Sequence, residues 1–285
     1  MTGSLIVARR FCGPPDSGNG GYVCGLIAGF LEGPAEVTLR LPPPLDRPLA
    51  VKRDGDGSVR VLDGQRLIAE STRLPDGRHL QLPDAVSVQQ ARAAGAQSPL
   101  RIRPELHPYP TCFVCGPDRR LGDGLRICVG PVPGTALSAD VWYPGEELAG
   151  ANGEIRPEFI WAALDCPGGI GALWDAVPDG AQYLLGRQTA RQLGAVKAGD
   201  PHVVVGWRLA VQGRKILSGS ALFTASGQAV GVAQATWIRL RRQAGREDHR
   251  PELSPGEIPP SVAPRSRGIE ALPYSSISQS ETGGS

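Results

Sequence analysis

The chain has 285 residues, 41% of them hydrophobic, which is enough for one large domain or two medium-sized ones. Its 30 basic and 28 acidic residues nearly balance, which argues against a protein that binds nucleic acid or anionic membranes through bulk charge. No apolar run approaches the roughly 20 residues of a transmembrane helix, and the opening apolar patch followed by arginines reverses the order of a signal peptide. Six cysteines are too few for a disulfide scaffold in a chain of this length. We expect a soluble cytoplasmic protein with reduced thiols.

The first part of the chain, residues 1–83, predicts one strand, one apolar helix and then four more strands. The first strand covers residues 5–11, and a glycine-rich stretch leads into a helix over residues 22–31. Asp-Gly pairs between the later apolar segments are typical of hairpin turns. The four later strands are predicted at residues 35–41, 48–54, 58–64 and 65–72.

The rest of the chain repeats this plan after a linker at residues 84–110, which contains a short helix within 84–97 and a proline-rich stretch. The second domain, residues 111–241, opens with a strand at 134–143 and an apolar helix at 157–174 with a break at Pro167. Four strands follow, at residues 182–196, 202–211, 215–225 and 228–240. Residues 242–285 are polar and rich in proline and serine, so we predict a disordered tail.

The internal repeat indicates the fold class. Both predicted helices are apolar on nearly every face, which is typical of a helix enclosed by protein. Gly25, Ala28 and Gly29 would let a curved sheet approach the first of them. We predict an α+β protein with two central helices, each wrapped by an antiparallel β-sheet, whose halves cover each other's open edge.

Three stretches of this chain resemble the hotdog-fold thioesterase superfamily in its tandem, double-hotdog form. Residues 112–127 (CFVCGPDRRLGDGLRI) resemble the Cys-Phe-x-Cys-Gly…Gly-Leu segment of many single-hotdog thioesterases. Residues 198–240 are similar to the family's terminal strands, and Asn19-Gly20-Gly21 is similar to the His-Gly-Gly that opens its central helix. The resemblance implies an acyl-CoA or acyl-carrier-protein thioester as substrate, no cofactor, and a monomer or homo-oligomer of double hotdogs.

The family's working positions are divided between the two halves of this chain. Many hotdog thioesterases carry an Asp or Glu nine residues after the His of His-Gly-Gly. In the first half Asn19-Gly20-Gly21 matches the helix start, but the carboxylate position is Ala28. In the second half the carboxylate is Asp165, but residues 156–158 read Arg-Pro-Glu. Because the helix start of one hotdog faces the carboxylate of its partner, the resemblance implies one intact composite site and an inactive mirror-image site.

These residues suit thioester hydrolysis. The backbone amides of Gly20 and Gly21, at the positive end of a helix, are candidates for an oxyanion hole. Burial in an apolar run should raise the pKa of Asp165, which could activate water or attack the thioester itself. Alternatively, Asp165 caps the helical segment that follows it. The resemblance adds Gln234, as a group that orients water, and more weakly Thr189; both are also compatible with solvent-facing strand positions.

The cysteine spacing suggests a second kind of site. His107, Cys112, Cys115 and Cys128 could supply four zinc ligands. One Cys-x-x-Cys without a second pair is weak support, however, and Phe113 and its neighbour suit the start of a strand. We therefore predict no metal site.

Two other functions stay open beside the thioesterase. A non-catalytic acyl-binding or interaction protein could keep the same fold. A hotdog hydratase or dehydratase is less favoured, because that family carries a His five residues after the helix Asp, where this chain has Ile170.

Overall fold

In the computed structural model, residues 2–74, 80–173 and 181–240 are described, and eleven strands among them form one antiparallel sheet. The tail predicted from residue 242 lies outside the described residues. The strands are β1 (Thr2–Ile6), β2 (Ala35–Leu39), β3 (Pro48–Arg53), β4 (Val59–Asp63), β5 (Arg66–Arg73), β6 (Gly130–Pro131), β7 (Leu137–Trp142), β8 (Tyr183–Gln192), β9 (His202–Gln212), β10 (Lys215–Thr224) and β11 (Ala229–Arg239).

The strand order repeats between the two halves of the sheet. It runs β1-β3-β4-β5-β2 in the first half and continues as β8-β11-β10-β9-β7-β6 in the second. Read from the outer edge inward, each half places its first long strand outermost, then its third, fourth and fifth, and its second strand at the centre. The short β6 is an addition at the outer edge. The repeat inferred from the sequence is therefore present in the topology.

The halves join where β2 pairs with β8. Four register pairs connect them, from Ala35 opposite Ala190 to Thr38 opposite Arg187. Arg187 also forms an ion pair of 2.9 Å with Glu36 across this junction. Each half thus covers the other's inner edge, as expected for sheets that avoid exposed strands.

Five helices accompany the sheet in the described residues: α1 (Gly20–Ala28), α2 (Val88–Ala96), α3 (Pro99–Ile102), α4 (Pro157–Ala163) and α5 (Cys166–Leu173). Helix α1 packs against α4 and against β2 and β8, while α5 packs against β9 and β10. A Cβ at Gly25 would lie 2.6 Å from the Cα of Glu158 on α4. Gly25 therefore allows close approach of a helix, not of a sheet as we had predicted.

Several predicted boundaries were wrong. The strand predicted at residues 5–11 ends at Ile6, and a 3-10 turn, Arg9–Phe11, follows it. Helix α1 begins two residues earlier than predicted and ends at Ala28. The break in the second apolar helix falls at residues 164–165, not at Pro167, which lies in the first turn of α5. A proline is tolerated there because first-turn amides have no intrahelical partner.

The segment predicted as a linker contains the short helix expected there, α2. Ser87 begins it with a capping box, in which its hydroxyl accepts the Gln90 amide and the Gln90 side chain accepts the Ser87 amide. Helix α2 packs against β7 and β6. Within the described ranges, no helix is both long enough and apolar enough to cross a bilayer.

Candidate active site

The N-terminus of α1 faces the break between α4 and α5. Asn19 caps α1, since its Oδ1 accepts the Tyr22 amide at 2.9 Å. Its Nδ2 is then available to donate to Asp165 Oδ2, at 3.0 Å. The Gly21 amide donates to the same carboxylate oxygen at 2.9 Å. The structure thus brings Asn19 and Gly21 of the first half into direct contact with Asp165 of the second.

The helix break that places Asp165 is supported by side chains from the sheet. Helix α4 ends at Ala163, so its last carbonyls lack amide partners within the helix. Gln188 on β8 donates its Nε2 to the Trp161 carbonyl at 3.1 Å, and the Ser220 hydroxyl on β10 donates to the Leu164 carbonyl at 2.5 Å. The sheet therefore stabilises the helix break from which Asp165 projects.

Glycine is required at the start of α1. A Cβ at Gly21 would lie 2.3 Å from the Cβ of Asp165 and 2.7 Å from the Trp161 carbonyl oxygen. A Cβ at Gly20 would lie 2.8 Å from Leu185 on β8. Only glycines let α1 approach both the helix break and the sheet this closely.

Asp165 is enclosed by protein. The residue is only 1% exposed, and its Oδ1 has no hydrogen-bond partner within the described part of the chain. Burial raises the pKa of Asp165 to about 7, against the opposing effect of the Gly21 and Asn19 donors. Its side chain does not act as the predicted cap of α5, because its oxygen bonds are made to the start of α1. Its backbone carbonyl accepts two amides of α5, that of Gly168 at 3.0 Å and that of Gly169 at 3.3 Å.

An aromatic cluster packs beside this contact. Phe11 stacks on Tyr22 with ring centroids 4.2 Å apart, and Phe113 meets Phe11 edge-on at 5.0 Å. Phe159 on α4 lies 5.6 Å from Tyr22. The cluster joins the N-terminal segment, α1, the loop after residue 107 and α4, so it holds the two halves together at the site.

The mirror-image position, formed by the start of α4 and the end of α1, lacks both the helix cap and the carboxylate. Arg156 precedes α4 without a side-chain capping bond, and its guanidinium lies over the Phe159 ring at 4.6 Å. Ala28, at the end of α1, stands where a carboxylate would be needed.

The structure does not bring Thr189 or Gln234 to Asp165. The two residues face each other on β8 and β11, and the Thr189 hydroxyl donates to Glu36 Oε2 at 3.0 Å. Successive strand side chains point to opposite faces, and Gln188, the fully buried neighbour, is the one that faces the helices. A catalytic role for Thr189 and Gln234 stays a prediction. Sequence reasoning missed Gln188, since alternation alone does not tell which face of β8 meets the helices.

The cysteines that lie close together in the structure are not the set that their spacing in the sequence suggests. The sulfurs of Cys112, Cys115 and Cys166 all lie within 4.8 Å of one another. Cys128 is not among them, because its thiol donates to the Cys115 carbonyl oxygen at 3.4 Å. The loop that holds Cys112 and Cys115 forms turns, not the start of a strand. Hydrogen bonds from the Cys115 and Cys166 thiols hold the pKa of Cys112 well below its usual range.

The structure is similar to solved thioesterases. It matches acyl-CoA thioesterase II TesB2 from Mycobacterium marinum with a TM-score of 0.54 and 13% identity, over 86% of this chain and 94% of that one. It matches the tesB protein of Mycobacterium avium subsp. paratuberculosis with a TM-score of 0.52 and 10% identity, over 84% and 93% of the two chains. The chain has the hotdog fold. Neither the known protein families nor the curated protein sequences contain a match to this sequence.

The hotdog fold explains the repeated strand order and the large antiparallel sheet. The match to these solved structures over most of the chain confirms the fold that the sequence resemblance implied.

Proposed function

We propose that this chain hydrolyses acyl thioesters, carried on coenzyme A or on an acyl-carrier protein, at one composite site between two hotdog halves. The observation that carries the proposal is the contact of Asn19 and Gly21, at the start of α1, with the carboxylate of Asp165. A fold shared with acyl-CoA thioesterases supports it.

The chemistry needs one group that polarises the thioester carbonyl and one that activates the attacking oxygen. Gly20 is the first residue of α1, so its amide has no partner within the helix and lies at the positive end of the helix dipole. That amide stabilises the developing oxyanion, while the Gly21 amide and the Asn19 side chain hold the carboxylate. Asp165 takes a proton from water as the water oxygen attacks the carbonyl carbon. The C–S bond then breaks, and the departing thiolate receives the proton as a thiol.

Direct attack is the alternative role for the carboxylate. Asp165 would then form a mixed anhydride as the thiolate leaves, and water would hydrolyse that anhydride in a second step. Mass spectrometry of Asp165 after a single turnover in ¹⁸O-labelled water distinguishes the two. Label in the Asp165 side chain, or an acyl adduct on it in acid-quenched protein, indicates the nucleophile. Absence of both indicates the base, since label in the acid product alone also arises when water attacks the acyl carbon of the anhydride.

Burial of the carboxylate sets a condition on this mechanism. Because Asp165 is 1% exposed, the substrate reaches it only if the contact between α1 and the helix break opens on binding. The same burial favours the second candidate function, a non-catalytic acyl-binding protein in which Asp165 serves to join the two halves.

The test is hydrolysis of a panel of acyl-CoAs by the wild type and by Asp165→Asn, with the melting temperature of both. We expect the variant to lose about 10²- to 10⁴-fold in kcat/KM while its melting temperature changes little. Asp140→Asn is the matched control, since Asp140 is equally buried but bonds to Arg101 and the Cys128 amide, away from α1.

Two outcomes would count against the proposal. If the wild type hydrolyses no thioester of the panel, the non-catalytic function is favoured, and acyl-CoA binding by calorimetry tests it. If Asp165→Asn hydrolyses as fast as Asp140→Asn, the carboxylate has a structural role only.

A further inference from the structure

We propose that Cys112, Cys115 and Cys166 form a zinc-binding site that joins the loop after residue 107 to the start of α5. All three are buried, and none forms a disulfide bond. This site lies next to Asp165, but its existence does not depend on the proposed hydrolysis, because metal content is measured without substrate.

The sulfur positions are close to those that a zinc ion requires. Two thiolates bound to one zinc ion at about 2.3 Å, in tetrahedral geometry, lie about 3.8 Å apart. The sulfurs of Cys112 and Cys166 are 3.7 Å apart, and all three sulfur atoms are within 4.8 Å of one another. The distances therefore suit three ligands around a common centre.

The local backbone also suits metal binding. Gly116 directly follows the Cys-x-x-Cys pair, and its amide donates to the Cys112 carbonyl at 2.9 Å. A Cβ at Gly116 would lie 2.5 Å from the carbonyl oxygens of both Cys112 and Pro110, so this turn requires glycine. This turn holds the sulfurs of Cys112 and Cys115 within 4.8 Å of each other.

Further donors offset the negative charge of three thiolates on a divalent ion. His107 Nδ1 accepts the Tyr109 amide at 3.0 Å, which leaves the ring proton on Nε2, 3.2 Å from the Cys115 sulfur. His107 thus donates to a thiolate and is not itself a ligand. Asn19 Nδ2 lies 3.8 Å from the Cys112 sulfur and 3.9 Å from the Cys166 sulfur.

The structure selects a different ligand set from the one that spacing suggests. Cys166 comes from α5, about fifty residues after the Cys-x-x-Cys pair, and replaces both His107 and Cys128 in the set. This difference supplies a matched control. Cys166→Ser removes a ligand, whereas Cys128→Ser removes a buried thiol outside the group of three sulfurs, which donates to the Cys115 carbonyl.

The experiment measures the zinc content of the full chain, purified without chelator, by elemental analysis. We expect about one zinc per chain in the wild type and in Cys128→Ser, and less than about a fifth of that in Cys166→Ser and Cys115→Ser. Reconstitution of the metal-stripped wild type with Co²⁺ gives a second readout that needs no variant. Intense sulfur-to-cobalt charge-transfer absorption, with the strong visible bands of tetrahedral cobalt, is the expected result.

Three results would overturn the proposal. One is wild-type protein that stays metal-free after zinc is supplied and shows no cobalt–thiolate absorption. Another is equal loss of zinc from Cys128→Ser and Cys166→Ser. The third is a Cys112–Cys166 disulfide, found by mass spectrometry of the protein purified without reductant.

Discussion

The two halves of the molecule share one strand order but differ in their helices. In the first half α1 runs without interruption over nine residues from a capped start at Asn19. In the second half the corresponding run is divided into α4 and α5, and its start at Arg156 has no side-chain cap. One half thus contributes a well-formed helix start, and the other contributes the carboxylate at a helix break.

This difference shows that two copies of a repeat can keep the same strand pairing while they differ in the polar groups at their helix ends. The strands of both halves must pair, so their order is constrained in each copy. The start of α1 contacts Asp165 across the junction, so the site that we propose needs one helix start and one carboxylate. The largest expected effects follow from changes at that junction.

Gly21→Ala should have the largest effect. Its Cβ would overlap the Cβ of Asp165 and the Trp161 carbonyl, both of them far from the flexible end of any side chain. We expect a loss of more than about 3 kcal/mol in the free energy of unfolding, measured by denaturant titration. Gly150→Ala is the control, since the nearest atom to its Cβ would be 3.4 Å away. Equal stability of the two variants would mean that α1 does not approach the break this closely.

Asp140 tests a buried aspartate that bonds to Arg101 of the predicted linker and to two amides of the second half, and not to α1. Burial raises its pKa from 3.8 to about 6, although Arg101 and the amides of Cys128 and Val141 oppose the shift. A raised folded-state pKa means that stability from this group is fully present below pH 3.8 and is lost as the pH rises through 6. We expect the wild type to lose up to about 3 kcal/mol relative to Asp140→Asn between pH 4 and pH 7. A constant difference between the two proteins across that range would contradict the shift.

The fold was largely predictable from the sequence, whereas the site was only partly so. Alternating apolar segments and Asp-Gly turns determined most strands to within a few residues, because each pattern is local. The pairing of Asn19-Gly20-Gly21 with Asp165 came from the family resemblance and is matched by a direct contact. What could not be predicted depends on distant packing. The carbonyl left by the helix break needs Gln188, and the sulfur group needs Cys166, neither of which any local pattern indicates.

The two helix starts can be compared by Asn19→Ala and Arg156→Ala. The first removes a helix cap and a donor to Asp165, so we expect a loss of about 2 kcal/mol. The second removes a partly exposed cation–π contact with Phe159, an ion pair with Glu158 and a bond of 3.4 Å to the Leu148 carbonyl, and should cost about 1 kcal/mol. Thermal unfolding of both variants checks this order. Thioester hydrolysis should fall in the first variant alone, and a comparable fall in Arg156→Ala would indicate that the mirror-image site is active.

The smallest effects should separate the two faces of β8. Gln188→Leu leaves the buried Trp161 carbonyl without its donor, which should cost about 1–2 kcal/mol in the free energy of unfolding. Thr189→Val removes one bond to Glu36, which keeps its ion pair with Arg187, so we expect a cost of about 1 kcal/mol. The geometry further predicts that Thr189→Val retains hydrolytic activity, since its hydroxyl points away from Asp165. Loss of activity in Thr189→Val at unchanged stability would instead support the catalytic role that the family resemblance implies, and would require β8 to present its other face to the substrate.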